Sequence, residues 1–150
     1  MNIQVTALAK QHPKWAQLRA FAEMSAWSAG PYLSRMMGEE DAFPEWERVF
    51  MAEADGRIAG YCTFTKTDEL PEKWGFFPFI GFVYVDEKYR GHRISQRLID
   101  GAVAYAGACG FSRVYLMSGE HGLYEKYGFE YIGDYETVFG TVDQLFVKRT

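Results

Sequence analysis

Residues 79–111 read FIGFVYVDEKYRGHRISQRLIDGAVAYAGACGF. The first part, FIGFVYVD, is a nearly continuous apolar run, the pattern of a strand covered on both faces. A short basic turn with one glycine, Gly91, follows. From Ile94 or Ser95 the apolar residues Leu98, Ile99, Ala102, Val103 and Ala106 recur at helical spacing, and Gly110 stands where such a helix stops. A strand that leads tightly into a helix start presents unpaired N–H groups and the positive end of the helix dipole, a ready anion site. Lys88, Arg90, Arg93 and Arg97, with His92 among them, add cationic side chains in a chain of net charge −4. The physical reading is a cradle for a phosphate or pyrophosphate; the plainer alternative is a strand–turn–helix with solvated charges. The glycine–lysine–serine pattern of a P-loop is absent, and one glycine is too few for a dinucleotide fingerprint.

Outward from this stretch, the chain punctuates clearly. IQVTAL (3–8) alternates like a strand. His12-Pro13 opens a helix carrying Trp15, Leu18 and Phe21 or Ala22. Gly30-Pro31 and Pro44 interrupt the next region, which reads as a short helix over 32–38 and a loop to about 46. RVFMAEA (48–54) and RIAGYCTFTK (57–66) flank Asp55-Gly56, a two-residue hairpin signal. RVYLMS (113–118) is a further buried strand, HGLYEKYG (121–128) a short helix, and two strands joined near Gly140 close the chain. The order is β-α-α-β-β-β-α-β-α-β-β, an α/β chain of the α+β kind. It predicts one domain over 1–150 with a mixed, mostly antiparallel sheet flanked by helices.

Composition sets the outer limits. The chain has 150 residues, 48% of them apolar, enough to bury a core. Negative net charge disfavours nucleic acid. Cys62 and Cys109 lack metal-ligand spacing and need no disulfide at this chain length, so a reduced, cytoplasmic setting is expected, with no metal. No run reaches transmembrane length and no signal core opens the chain, so no membrane partner is expected.

The turn resembles the signature of the GNAT-type N-acetyltransferases: Arg or Gln, two residues, Gly, one residue, then Gly or Ala, after a strand reading L-x-V. Val83-Tyr84-Val85 match the strand and Arg90 the first signature position; Gly91 and His92 follow. Arg93 stands where the family has glycine, and Ser95 where it has glycine or alanine. Ser95 is small and suits a helix cap; Arg93 is expected in an ordinary backbone conformation with its guanidinium near a phosphate. LYEKYGF (123–129) resembles the family's FYEKxGF. The order of elements matches that family's over essentially the whole chain.

The resemblance implies acetyl-CoA as co-substrate. Val83, Tyr84 and Val85 would face the pantetheine arm. The turn from Arg90 through Gly91, His92, Arg93 and Ile94 to Ser95, with Gln96, would hold the pyrophosphate. Tyr124 would protonate the departing thiolate. The implied reaction is acetyl transfer to a primary amine by direct attack, the acceptor being a small molecule or a peptide; a homodimer is left open. The alternatives are a CoA-binding module that has lost catalysis and a sheet-based interaction domain. An asparagine found shortly before the family tyrosine is missing from MSGEHG. Glu53 and Glu120 are the candidate bases, neither preferred, and His121 lies three residues before Tyr124. The stretch 25–47, with Trp27, Tyr32, Phe43 and Trp46 among acidic residues, and WGFFPF (74–79) are the expected walls of an amine pocket.

Overall fold

The computed structural model describes residues 1–150. Seven strands form one sheet: β1 (Ile3–Leu8), β2 (Arg48–Ala54), β3 (Arg57–Thr65), β4 (Phe79–Val85), β5 (Arg113–Ser118), β6 (Glu130–Glu136) and β7 (Val142–Arg149). Four helices cover it: α1 (Trp15–Glu23), α2 (Ala29–Met37), α3 (Ile94–Ala108) and α4 (Leu123–Lys126). The spatial order is β1-β2-β3-β4-β5-β7-β6. All pairings are antiparallel except β4–β5, which run parallel. The mixed, mostly antiparallel sheet expected from the sequence is the one observed.

Period-two alternation buries both faces of the central strands. Phe50, Ala52, Cys62, Phe64 and Ile80 pack beneath α3, whose Leu98, Ile99, Ala102 and Ala106 form the facing stripe. Val49, Met51, Tyr61 and Tyr84 point the other way and meet Trp15, Leu18 and Ala22 of α1 and Leu33 and Met37 of α2. Asp55 and Gly56 both take left-handed φ values, 50° and 83°, as a tight hairpin requires, and Ala54 pairs with Arg57 across it.

Two boundaries differ from the sequence reading. The second helix starts at Ala29, not 32, because Gly30 and Pro31 lie in its first turn, where a missing proline N–H costs nothing. Gly30 is also where α2 meets α1: a Cβ there would overlap the Ala22 carbonyl. The helix read as 121–128 shrinks to Leu123–Lys126, since Gly122 is left-handed at φ 85° and leaves His121 outside. The last two strands are joined by residues 137–141, a connection that contains Gly140 as expected. That loop is closed by Thr137 N–H donating to the Thr141 carbonyl at 2.7 Å.

Candidate active site

The parallel pair is brief. Phe79 aligns with Tyr115 and Ile80 with Leu116, and there the β4–β5 ladder ends. The cause is a bulge in β4: register against β3 shifts between Tyr61 and Thr63, and Phe82 takes a left-handed φ of 49°. Beyond Ile80 the two strands diverge, so the β5-facing backbone groups of β4 have no strand partner. The divergence opens a cleft of about 1270 Å³ lined by Val83, Tyr84, Val85, Leu116, Ser118 and Tyr124, among others.

At one end of the cleft lies the basic turn. Asp86 caps a 3-10 turn by accepting from Lys88 N–H at 3.2 Å. Gly91 follows at φ 87°, and nothing lies within 4 Å of where its Cβ would be. Arg93 is left-handed at φ 59°. The ordinary backbone expected for Arg93 is therefore corrected: the chain reverses so sharply into α3 that an arginine holds a conformation glycine adopts freely. Ser95 does not cap the helix either. α3 starts at Ile94, and the Ser95 hydroxyl instead shares a hydrogen bond of 2.8 Å with the Tyr127 hydroxyl, joining α3 to the segment after α4.

The cationic side chains are partly committed. Arg90 Nε donates to the Val85 carbonyl at 3.0 Å, which braces the turn. Arg97 donates to the Ile3 carbonyl at 3.0 Å and so pins β1. Lys88 lies over the Tyr89 ring. Ile94 is buried in the core, leaving its backbone N–H as its polar contribution to the helix start. Of the residues singled out from the sequence, Val83, Tyr84, Val85, Arg90, Ser95 and Tyr124 line the cleft, while Gly91, His92, Arg93, Ile94 and Gln96 lie in the turn and first helical turn that connect Arg90 to Ser95. The Tyr84 ring stacks on Trp27 at 5.6 Å, on the α1–α2 side of the sheet.

Tyr124 sits on α4, buried between Tyr127, Phe129 and Phe146, with its hydroxyl near Ser118. Burial pushes its phenol up to about 12, with Cys62 and Glu120 adding to the shift. The proton therefore stays on the oxygen through neutral pH, the state a proton donor needs. Burial likewise pushes the Cys62 thiol up, which leaves it uncharged and unsuited to act as a nucleophile.

Other expectations are redistributed. Glu53 is paired with Lys14 at 3.0 Å and lies outside the cleft. Glu120 lines it. His121 is exposed and does not share a helix face with Tyr124. From 25–47, Trp27 and Tyr32 reach the cleft, but Phe43 is packed edge-on against Trp15 and Trp46 against Phe64 and Phe111. WGFFPF is not a wall: Trp74 and Phe76 pack against Tyr135 instead. The acidic residues of 25–47 are absent from the lining; Asp68, Glu69 and Asp143 face the cleft in their place. No spacing rule links them, since the β3–β4 loop and β7 supply them from distant parts of the chain.

The model of the Acetyltransferase (GNAT) family matches residues 13–129. The chain belongs to the GNAT acetyltransferase family. No curated protein matches it at a significant level. Solved GNAT structures share the fold across nearly the full length. The acetyltransferase of the GNAT family from Streptococcus pneumoniae superposes with a TM-score of 0.68 at 16% identity, covering 99% of each chain. A GNAT family acetyltransferase from Elizabethkingia anophelis, solved with acetyl-CoA bound, gives 0.67 at 16% identity, again over 99% of each chain. Aminoglycoside 6'-acetyltransferase type Ii gives 0.70 at 15% identity over 97% of this chain and 96% of its own. No helix of this GNAT chain is long and apolar enough to cross a membrane.

Proposed function

We propose that this protein transfers an acetyl group from acetyl-CoA to a primary amine by direct attack. The observation that carries the proposal is the continuous cleft from the α3 turn, between the diverging β4 and β5, to the Tyr124 hydroxyl. The residues fit the co-substrate. The space above Gly91 is open, and the first N–H groups of α3, at Ile94, Ser95 and Gln96, precede the first helical bond, which Arg97 N–H makes to the Arg93 carbonyl. That is where a pyrophosphate would be held. The unpaired edge of β4, at Val83–Val85, suits the amides of the pantetheine arm. When bound, acetyl-CoA supplies the activated thioester.

The chain's own residues do the rest. Tyr124 donates a proton to the departing sulfur as the new C–N bond forms and the C–S bond breaks. The cleft carboxylates supply groups able to take up the proton the amine must shed before attack. Cys62, protonated beneath α3, offers no covalent route.

Tyr124→Phe is the direct test. It keeps the ring and removes the donor, so kcat should fall about 10²–10⁴-fold while CoA affinity and Tm stay near wild type. Full turnover by the Phe variant would overturn the role of Tyr124. Tight CoA binding by the wild type without transfer to any amine would instead favour a CoA-binding module that has lost catalysis.

A further inference from the structure

The lining of the cleft is strongly acidic. Asp68, Glu69, Glu120 and Asp143 line it, and the one cationic side chain in the lining, Arg90, is bonded to the Val85 carbonyl at the α3 end. The Asp68 carboxylate lies over Gly81, so closely that a Cβ on Gly81 would overlap it. Burial raises the Asp68 carboxyl to about 6. Directly across the ladder from Gly81 is Thr63, only 1% exposed and also in the lining. Its hydroxyl has no hydrogen-bond partner in the protein. Glu69 and Asp143 stand beside each other in the same lining. Burial first, then the Asp68 charge and Asp143, push Glu69 up to about 7.

Resting on the acetyltransferase reading, we infer that the acceptor is an amine bearing at least two cationic groups, one held by Asp68 and Thr63 and the other by Glu69 and Asp143. Half-buried carboxylates without a cation and an orphaned buried hydroxyl are both costly, and each is relieved by the same kind of guest. An ammonium beside Asp68 neutralises it and gives the Thr63 oxygen an N–H donor. A second cation at Glu69 and Asp143 offsets the repulsion between the two and displaces the proton that the raised Glu69 carboxyl retains. One ammonium leaves one of these two sites unmatched. Trp27 and Tyr32 add aromatic faces to the same cleft, a further preference for cations. A metal ion is the weaker guest, because no three His, Cys, Asp or Glu side chains converge to hold one.

Calorimetry of the CoA-free protein tests this independently of turnover. Spermidine and 1,4-diaminobutane should bind at least tenfold more tightly than n-butylamine at pH 7. Measured in two buffers of different ionisation enthalpy, diamine binding should release protons, and Glu69→Gln should abolish that release. Gly81→Ala, which displaces the Asp68 carboxylate without changing any charge, should weaken diamine binding about tenfold, as should Asp68→Asn. Equal affinity for the monoamine, or unchanged affinity in both Asp68-directed variants, would overturn the inference. So would Mg²⁺ binding more tightly than the diamine at the same residues. CoA titration is run in parallel: diamine binding without CoA binding would sink the acetyltransferase reading and leave the cation site standing.

Discussion

At the scale of single residues, Arg93 is one of the chain's departures from the signature it resembles, and its left-handed backbone turns that departure into a measurable trade. A non-glycine residue in the left-handed region costs about 1 kcal/mol, and Arg93 sits there at φ 59°. Arg93→Gly should raise Tm by roughly 2–4 °C while lowering CoA affinity several-fold through loss of a charge-assisted phosphate contact. Differential scanning calorimetry and CoA titration read the two effects separately; a stabilised variant with unchanged CoA affinity would leave Arg93 no ligand role. Tyr124 carries its own pH signature. With its phenol pushed up to about 12, any fall in kcat from losing its proton belongs above pH 10. An alkaline limb near pH 8 that vanished in Tyr124→Phe would contradict the raised value.

At the scale of elements, the decisive feature is how little β4 and β5 pair. Two aligned pairs of residues hold them parallel, and the Phe82 bulge then turns β4 away. The cleft is thus a property of one irregularity in one strand. Its far wall is steadied by a single polar link between α3 and the end of α4, the Ser95–Tyr127 hydrogen bond of 2.8 Å. Tyr127→Phe removes that bond and keeps the edge-on packing against Tyr124 at 6.0 Å. The expected cost is about 1 kcal/mol of stability. Because α4 carries Tyr124, kcat should drop more than KM rises, which steady-state kinetics beside thermal melts would show.

At the scale of the whole molecule, the acidic cluster couples the β3–β4 loop to the β6–β7 connection, where Val138 N–H also donates to the Glu69 carbonyl at 2.7 Å. Asp68 is raised to about 6 and Glu69 to about 7, burial being the first cause of both. A carboxyl group with a raised native pKa binds its proton more tightly folded than unfolded, so stability falls as pH rises. The penalty is absent below the ordinary carboxylate range, grows through pH 6 and 7, and is constant above. Asp68→Asn and Glu69→Gln should therefore raise Tm at pH 8 and leave it nearly unchanged at pH 4. Melting curves at the two pH values decide it: an equal gain at both would mean that packing, not charge, is relieved.

The sequence by itself determined the order of elements, because period-two and helical apolar patterns, Asp55-Gly56 and Gly110 are local signals that act through neighbouring residues. It also marked the α3 turn and Tyr124, since a helix start and a short motif lie within one stretch of chain. Local patterns misplaced the start of α2 and the ends of α4, where a proline in a first turn and a left-handed Gly122 depend on how the helices dock. Only the tertiary structure decided the acidic wall. Thr63, Asp68, Gly81 and Asp143 come from β3, the β3–β4 loop, β4 and β7, and they meet because β4 bulges and β7 inserts between β5 and β6. Burial, not residue type, then raises the Asp68 and Glu69 carboxyl groups, and burial is settled when the chain has folded.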